Sequence, residues 1–210
     1  MDRRQVSGSL PWLPVLTDNQ AMTVRTPPRH AVTPATTDAR ADRSRDAIRR
    51  AFFALVLAQP YDRISVAAVI RSAGVARSTF YEHYRDKDAL LADSLSMPFK
   101  PLADAVLPDA PLPPLAGALA HFHDNRRMAL GILHGGFGRR AGTVLAAMIE
   151  QRLRGCGPLP VPAGVVALQV AAMQLATIGA WLDGRISGTA GEVARVVARG
   201  SRALAQGVVA

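Results

Sequence analysis

Three groups of side chains in this 210-residue chain have the types and spacing for chemistry. The first is a short polar run after Gly74, holding Arg77, Ser78 and Thr79. An arginine can grip guanine through two parallel hydrogen bonds, and hydroxyls bond to either kind of base edge, so these three are candidates for reading bases. The second group is His121, His123 and Asp124. On a helix the two histidines point about 200° apart and cannot share a metal, whereas His121 and Asp124 can. Surface or pocket-lining histidines are the better reading, and neither a metal nor a cofactor is expected. The third is Cys156, the single cysteine. It excludes an intramolecular disulfide framework and a cysteine-based zinc site, which fits a cytoplasmic protein. It has no obvious base partner and reads as a structural thiol. Neither a Gly-rich phosphate loop nor a Gly-x-Ser-x-Gly elbow is present. These residues suit binding better than catalysis, and no enzyme is expected.

Local sequence signals show how the first group is positioned. From Asp42 the chain places Ile48, Phe52, Leu55 and Val56 on one helical face, and Pro60 ends that helix. Ser65 has the character of an N-cap for a helix whose apolar face is Val66, Val69, Ile70 and Ala73. Gly74 suits the left-handed turn that follows. A second short helix is predicted over residues 77–84, and Asp86 caps a third that runs through Leu90 and Leu91. Two short helices joined by a tight turn, the second polar and basic, are the signature of a helix-turn-helix. All three tyrosines and Phe52, Phe53 and Phe80 fall between residues 52 and 84, which marks a small compact core there.

Charge points the same way, more weakly. Lys+Arg is 25 against Asp+Glu 16, a formal charge of +9, and such a surface attracts phosphate-rich partners. Hydrophobic residues make up 49%, which excludes a wholly disordered chain. Residues 1–40 lack periodicity, contain five prolines and read as a disordered tail. Six prolines between residues 98 and 114 read as a connector, because no long helix is expected to tolerate them. Helical patterns then recur over about 115–124, 126–134, 139–154, 164–183 and 190–206, with no useful strand alternation, so the chain reads as all-α.

The stretch from Gly74 to Leu91, with Tyr61 to Ile70 before it, closely resembles the DNA-binding domain of tetracycline-repressor (TetR) family transcriptional regulators. Trp181 to Gly184, followed by a last amphipathic helix, is similar to the end of such chains. The resemblance implies a three-helix domain over residues 42–102 with its helix-turn-helix at about 65–84. It also implies a helical ligand-binding and dimerisation domain over residues 103–210. By that resemblance Tyr81 contacts phosphate or a thymine methyl, and His83 and Lys87 touch the phosphate backbone. Ser65 would combine capping with a phosphate contact, while Phe80 and Tyr84 would be core. At Ala76 the family often has Ser or Thr, so this chain forgoes a helix cap worth about 1 kcal/mol.

The resemblance also implies a homodimer formed through the last two helices, binding a palindromic double-stranded DNA operator and released by a small-molecule ligand. Phe122, Met128, Met148, Met173, Gln174, Thr177 and Trp181 would supply an apolar pocket wall with a few polar contacts. Residues 163–182 are uncharged and long enough to span a membrane. A basic membrane-associated or lipid-binding protein is therefore the alternative reading. The many alanines, Gln169 and Gln174 favour a buried or interface helix with no membrane partner.

Overall fold

The computed structural model describes residues 34–133, 135–157, 159 and 161–207. Most of the expected N-terminal tail lies outside these residues. Among the described residues the chain is all-helical. The N-terminal group comprises α1 (Pro34–Ala58), a single 3-10 turn (Tyr61–Arg63), α2 (Val66–Ala73), α3 (Arg77–His83) and α4 (Lys87–Asp104). Helices α5 (Leu112–Asp124), α6 (Arg126–Leu133), α7 (Gly135–Arg154), α8 (Ala163–Leu182) and α9 (Ala190–Gln206) follow.

Two boundaries differ from expectation. Helix α1 begins at Pro34, not near Asp42. Proline is welcome in a first helical turn, where its missing N–H has no intrahelical partner to lose. Ala39 and Arg40 are exposed, and the sequence before Asp42 carries no apolar period to announce the extension. The proline-rich connector is also shorter than expected. Helix α4 continues through Pro98 and Pro101, and α5 starts at Leu112 with Pro113 and Pro114 in its first turn. An interior proline removes one hydrogen bond, here to the carbonyls of Ser94 and Met97, and costs roughly 3 kcal/mol in an isolated helix. Pro98, Phe99, Leu102 and Ala103 are buried, so packing along that face holds the helix together across the missing bonds.

One hydrophobic core runs through both halves, from Phe52 and Phe80 to Ile149, Leu182 and Val197. Helix α8 passes through its centre, against α7 on one side and α9 on the other. It is long and apolar enough to cross a membrane, yet half of that span is buried in the protein. Its buried Gln174 donates to Leu102 O at 3.0 Å and to Ser201 Oγ at 2.8 Å, tying α4, α8 and α9 together. Arg152 of α7 donates to Asp104 of α4 at 2.8 Å. Burial opposes ionisation of Asp104, but hydrogen bonds from Lys100 and Arg152 outweigh it and hold the carboxyl below the usual range.

The last helix starts in a reciprocal cap. Thr189 Oγ1 accepts from the Glu192 amide at 3.2 Å, and Glu192 Oε2 accepts from the Thr189 amide at 2.7 Å. Thr189→Ala is expected to lose about 1 kcal/mol of stability in a denaturant titration. A loss within error would mean that the start of α9 is held by packing alone.

Candidate nucleic-acid interface

Helix α3 is short, and three anchors fix its orientation. Phe80 is fully buried, with its ring 5.8 Å from that of Tyr84. The Tyr84 hydroxyl donates to Asp93 of α4 at 2.7 Å, and Asp93 in turn faces Arg45 of α1 at 3.8 Å. At the far end of the helix, His83 Nε2 lies 2.7 Å from Ser44 Oγ. The Ser44 hydroxyl proton already goes to Ala41 O at 2.8 Å, so the histidine must be the donor in this pair. That leaves Nδ1, which can donate to a phosphate only when the ring is protonated.

The opposite face of α3 is open. Arg77, Ser78 and Tyr81 are exposed, Tyr81 by 45%, and Thr79 is half-buried. The Arg77 guanidinium lies 5.3 Å from the centre of the Tyr81 ring, a cation–π contact one turn apart that aligns the two side chains. Burial of Phe80 and Tyr84 therefore turns this basic and hydroxyl-bearing edge outward. Ser65 Oγ accepts from the Ala68 amide at 3.1 Å and is exposed at the start of α2. Gly74, at φ +65°, makes the left-handed turn between α2 and α3. The start of α3 at Ala76 has no side-chain cap, as its sequence requires.

Lys87 has a structural role that its spacing does not reveal. Its ammonium donates to Tyr61 O at 2.9 Å and Ile64 O at 2.8 Å and lies 4.0 Å from the centre of the Tyr61 ring. Two of its three N–H groups therefore brace the 3-10 turn, and burial lowers its pKa from the ordinary lysine value. The Tyr61 hydroxyl donates to Asp88 at 2.6 Å; burial and then that carboxylate raise its pKa strongly. Helix α7 rests on the same turn. Phe137 packs 5.6 Å from the Tyr61 ring, and Arg140 pairs with Asp62 at 3.1 Å and with Asp88 at 3.4 Å. Neither Phe137 nor Arg140 carries any local sequence signal for this contact, which joins residues about 50 to 80 positions apart.

A cavity of about 40 Å³ lies deeper, between α4, α5, α6 and α8, with Phe53 of α1 in its wall. Phe122 and Met128 line it, together with Leu95, Pro98, Phe99 and Leu102 of α4. The other five candidate pocket residues point elsewhere. Gln174 is used in the buried bonds described above. Met173 lies against Gly200 of α9, and Trp181 donates to Gly188 O at 2.8 Å and stacks on His123. Met148 is half-buried against the core, and Thr177 is half-buried outside the cavity. On α8 the lining falls instead on Leu175, Ile178 and Leu182. A one-residue step turns a helical side chain by about 100°, so Leu175 and Ile178 line the cavity where their neighbours Gln174 and Thr177 do not.

Comparison with known proteins agrees with this architecture. Residues 48–93, which span the core of α1 through the first turns of α4, match the model of bacterial regulatory proteins, tetR family. A TetR transcriptional regulator from Streptococcus agalactiae has the same fold, at 25% identity and a TM-score of 0.50, over 80% of this chain and 99% of that one. Residues 48–93 form a tetR-family DNA-binding domain. Two further solved TetR-family proteins are similar at 18% identity. One, a putative transcriptional regulator from Syntrophomonas wolfei, covers 78% of this chain and 95% of its own, at a TM-score of 0.45. The other, the repressor FadR from Thermus thermophilus in complex with lauroyl-CoA, covers 79% and 95%, at a TM-score of 0.42. No curated protein matches the chain. Within this TetR-type domain the helix-turn-helix is α2 and α3, and the exposed edge of α3 is the candidate base-reading surface.

Proposed function

We propose that this TetR-family regulator is a cytoplasmic homodimer that represses transcription from a roughly palindromic operator and is released by a small-molecule ligand. The observation that carries the DNA half of this reading is the outward edge of α3, with Arg77, Ser78 and Tyr81 exposed on a helix whose other side is locked by Phe80 and Tyr84. An α-helix of this kind fits the major groove, and two copies one helical turn apart read a palindrome. Arg77, Ser78 and Thr79 read base edges. Tyr81, His83, Lys87 and Ser65 hold the phosphate backbone and set the register.

Dimerisation is supported by an apolar stripe on α8 and α9. Leu168 is 63% exposed and Val196 61%, with Val165, Ala172 and Ala176 along the same side of α8. A second copy covers this face through a two-fold contact, and the small residues let the helices approach closely.

Helix α4 supports the ligand response, because it belongs to both parts. Its first half is fastened to the helix-turn-helix by Tyr61–Asp88, Tyr84–Asp93 and the Lys87 carbonyl bonds. Its second half walls the cavity. A molecule that fills the cavity displaces α4 and changes the spacing of the two recognition helices. It thereby favours the state that cannot grip successive major grooves.

The test is binding of the purified protein to DNA upstream of its own gene, titrated with salt and with random DNA as competitor. Arg77→Ala is expected to weaken binding and relax sequence preference. Lys87→Ala is expected to weaken binding to all sequences alike and to reduce the salt slope by about one. Full-strength binding by both variants would overturn the assignment of this surface.

A further inference from the structure

The cavity wall has an unusual chemical uniformity. Phe53, Leu95, Phe99, Met128, Ile132, Leu175 and their neighbours make its described lining almost wholly apolar, and none of those residues is ionisable. Asn125, at the end of α5, is the one polar side chain in that wall. Its Nδ2 already donates to His121 O at 3.0 Å, which leaves Oδ1 as an acceptor. The same Asn125 and Met128 also border a surface groove that holds Asp124, Arg126 and Arg127. All three charged side chains are exposed to water, and the two arginines lie outside the cavity wall.

We infer that the ligand of this regulator is an uncharged, largely apolar or aromatic molecule with at most one hydrogen-bond donor, which Asn125 Oδ1 accepts. This rests on the reading of the cavity as the ligand site. An ion moved into this wall loses its water and gains no counter-charge, a penalty of several kcal/mol by general estimates, whereas an apolar ring gains by leaving water. A ring of benzene size needs a cavity of roughly 150 Å³, so entry must enlarge the present space of about 40 Å³. Helix α4 lacks a helical hydrogen bond where it meets the cavity. Pro98 leaves the Ser94 carbonyl without its helical donor, and the Ser94 hydroxyl is buried with no hydrogen-bond partner among the described residues. Expansion at that turn moves the helix that carries the DNA-binding domain.

The experiment uses the full chain bound to its DNA and four probes: toluene, indole, indole-2-carboxylate and dodecanoate. Calorimetry and DNA release are read together. Toluene and indole are expected to bind and to release DNA, and indole-2-carboxylate to bind about a hundredfold more weakly than indole. Ala129→Val, which fills the cavity from α6, should abolish binding of both neutral probes while DNA binding persists. Asn125→Leu should weaken indole about tenfold and leave toluene unchanged. If either acid binds as tightly as indole, and Arg126→Gln or Arg127→Gln abolishes this, the ligand is an anionic amphiphile and the inference falls while ligand response stands. If no probe of either charge binds, the cavity is ordinary packing space and both readings fall.

Discussion

Leu168→Glu is expected to split the proposed dimer and to lower operator affinity by about a hundredfold or more. The side chain is 63% exposed within one protomer, so a glutamate there meets water and costs the isolated fold little. In a two-fold interface the same substitution occurs twice and buries two unpaired carboxylates, each opposed by several kcal/mol of desolvation. Sedimentation velocity at micromolar concentration should show the monomer, with an unfolding midpoint that no longer depends on protein concentration. Weak half-site binding should remain, because α3 is untouched. A variant that still sediments as a dimer would place the interface elsewhere than the Val165–Leu168–Val196 stripe.

The second large effect is expected at Phe80. Its ring is fully buried between α3 and its supports, and it belongs to the one core that continues into the C-terminal helices. Phe80→Ala removes that ring and leaves a cavity, a change that costs about 3–5 kcal/mol in comparable cores. For a chain of this length the thermal midpoint should fall by on the order of 10 °C. Operator binding should weaken further than stability alone requires, because Phe80 sets the direction in which Arg77 and Tyr81 point. A loss under about 1 kcal/mol would mean that the Tyr84–Asp93 bond and Ser44 hold α3 without it.

The helix-turn-helix was legible because its determinants are local. Ser65, Gly74 and Asp86 act on backbone groups within three or four residues, and each sits where its cap or turn is found. The alternation of Phe80 and Tyr84 with Arg77, Ser78 and Tyr81 separates the buried and open edges of α3 by helical period alone. Proline is the misleading signal, because burial along the same face of α4 outweighs the local penalty at Pro98 and Pro101.

The candidate site was legible only in part. Residue types along α3 identified the edge that faces outward, but not the partners that hold it there. The bracing of the 3-10 turn by Lys87, the Ser44–His83 bond and the contact of Arg140 with Asp62 and Asp88 join segments far apart in the chain. Such contacts depend on how helices pack, and no spacing in the sequence records them. The cavity shows the same division. Its location on the helices after α3 follows from the family pattern, whereas the stripe of α8 that lines it depends on the rotation of that helix against α7 and α9. A rotation of one residue exchanges Gln174 for Leu175 and a polar wall for an apolar one. Local capping and periodicity therefore suffice to define the short helices between Ser65 and Leu91, and long-range packing alone decides which side chains line the cavity.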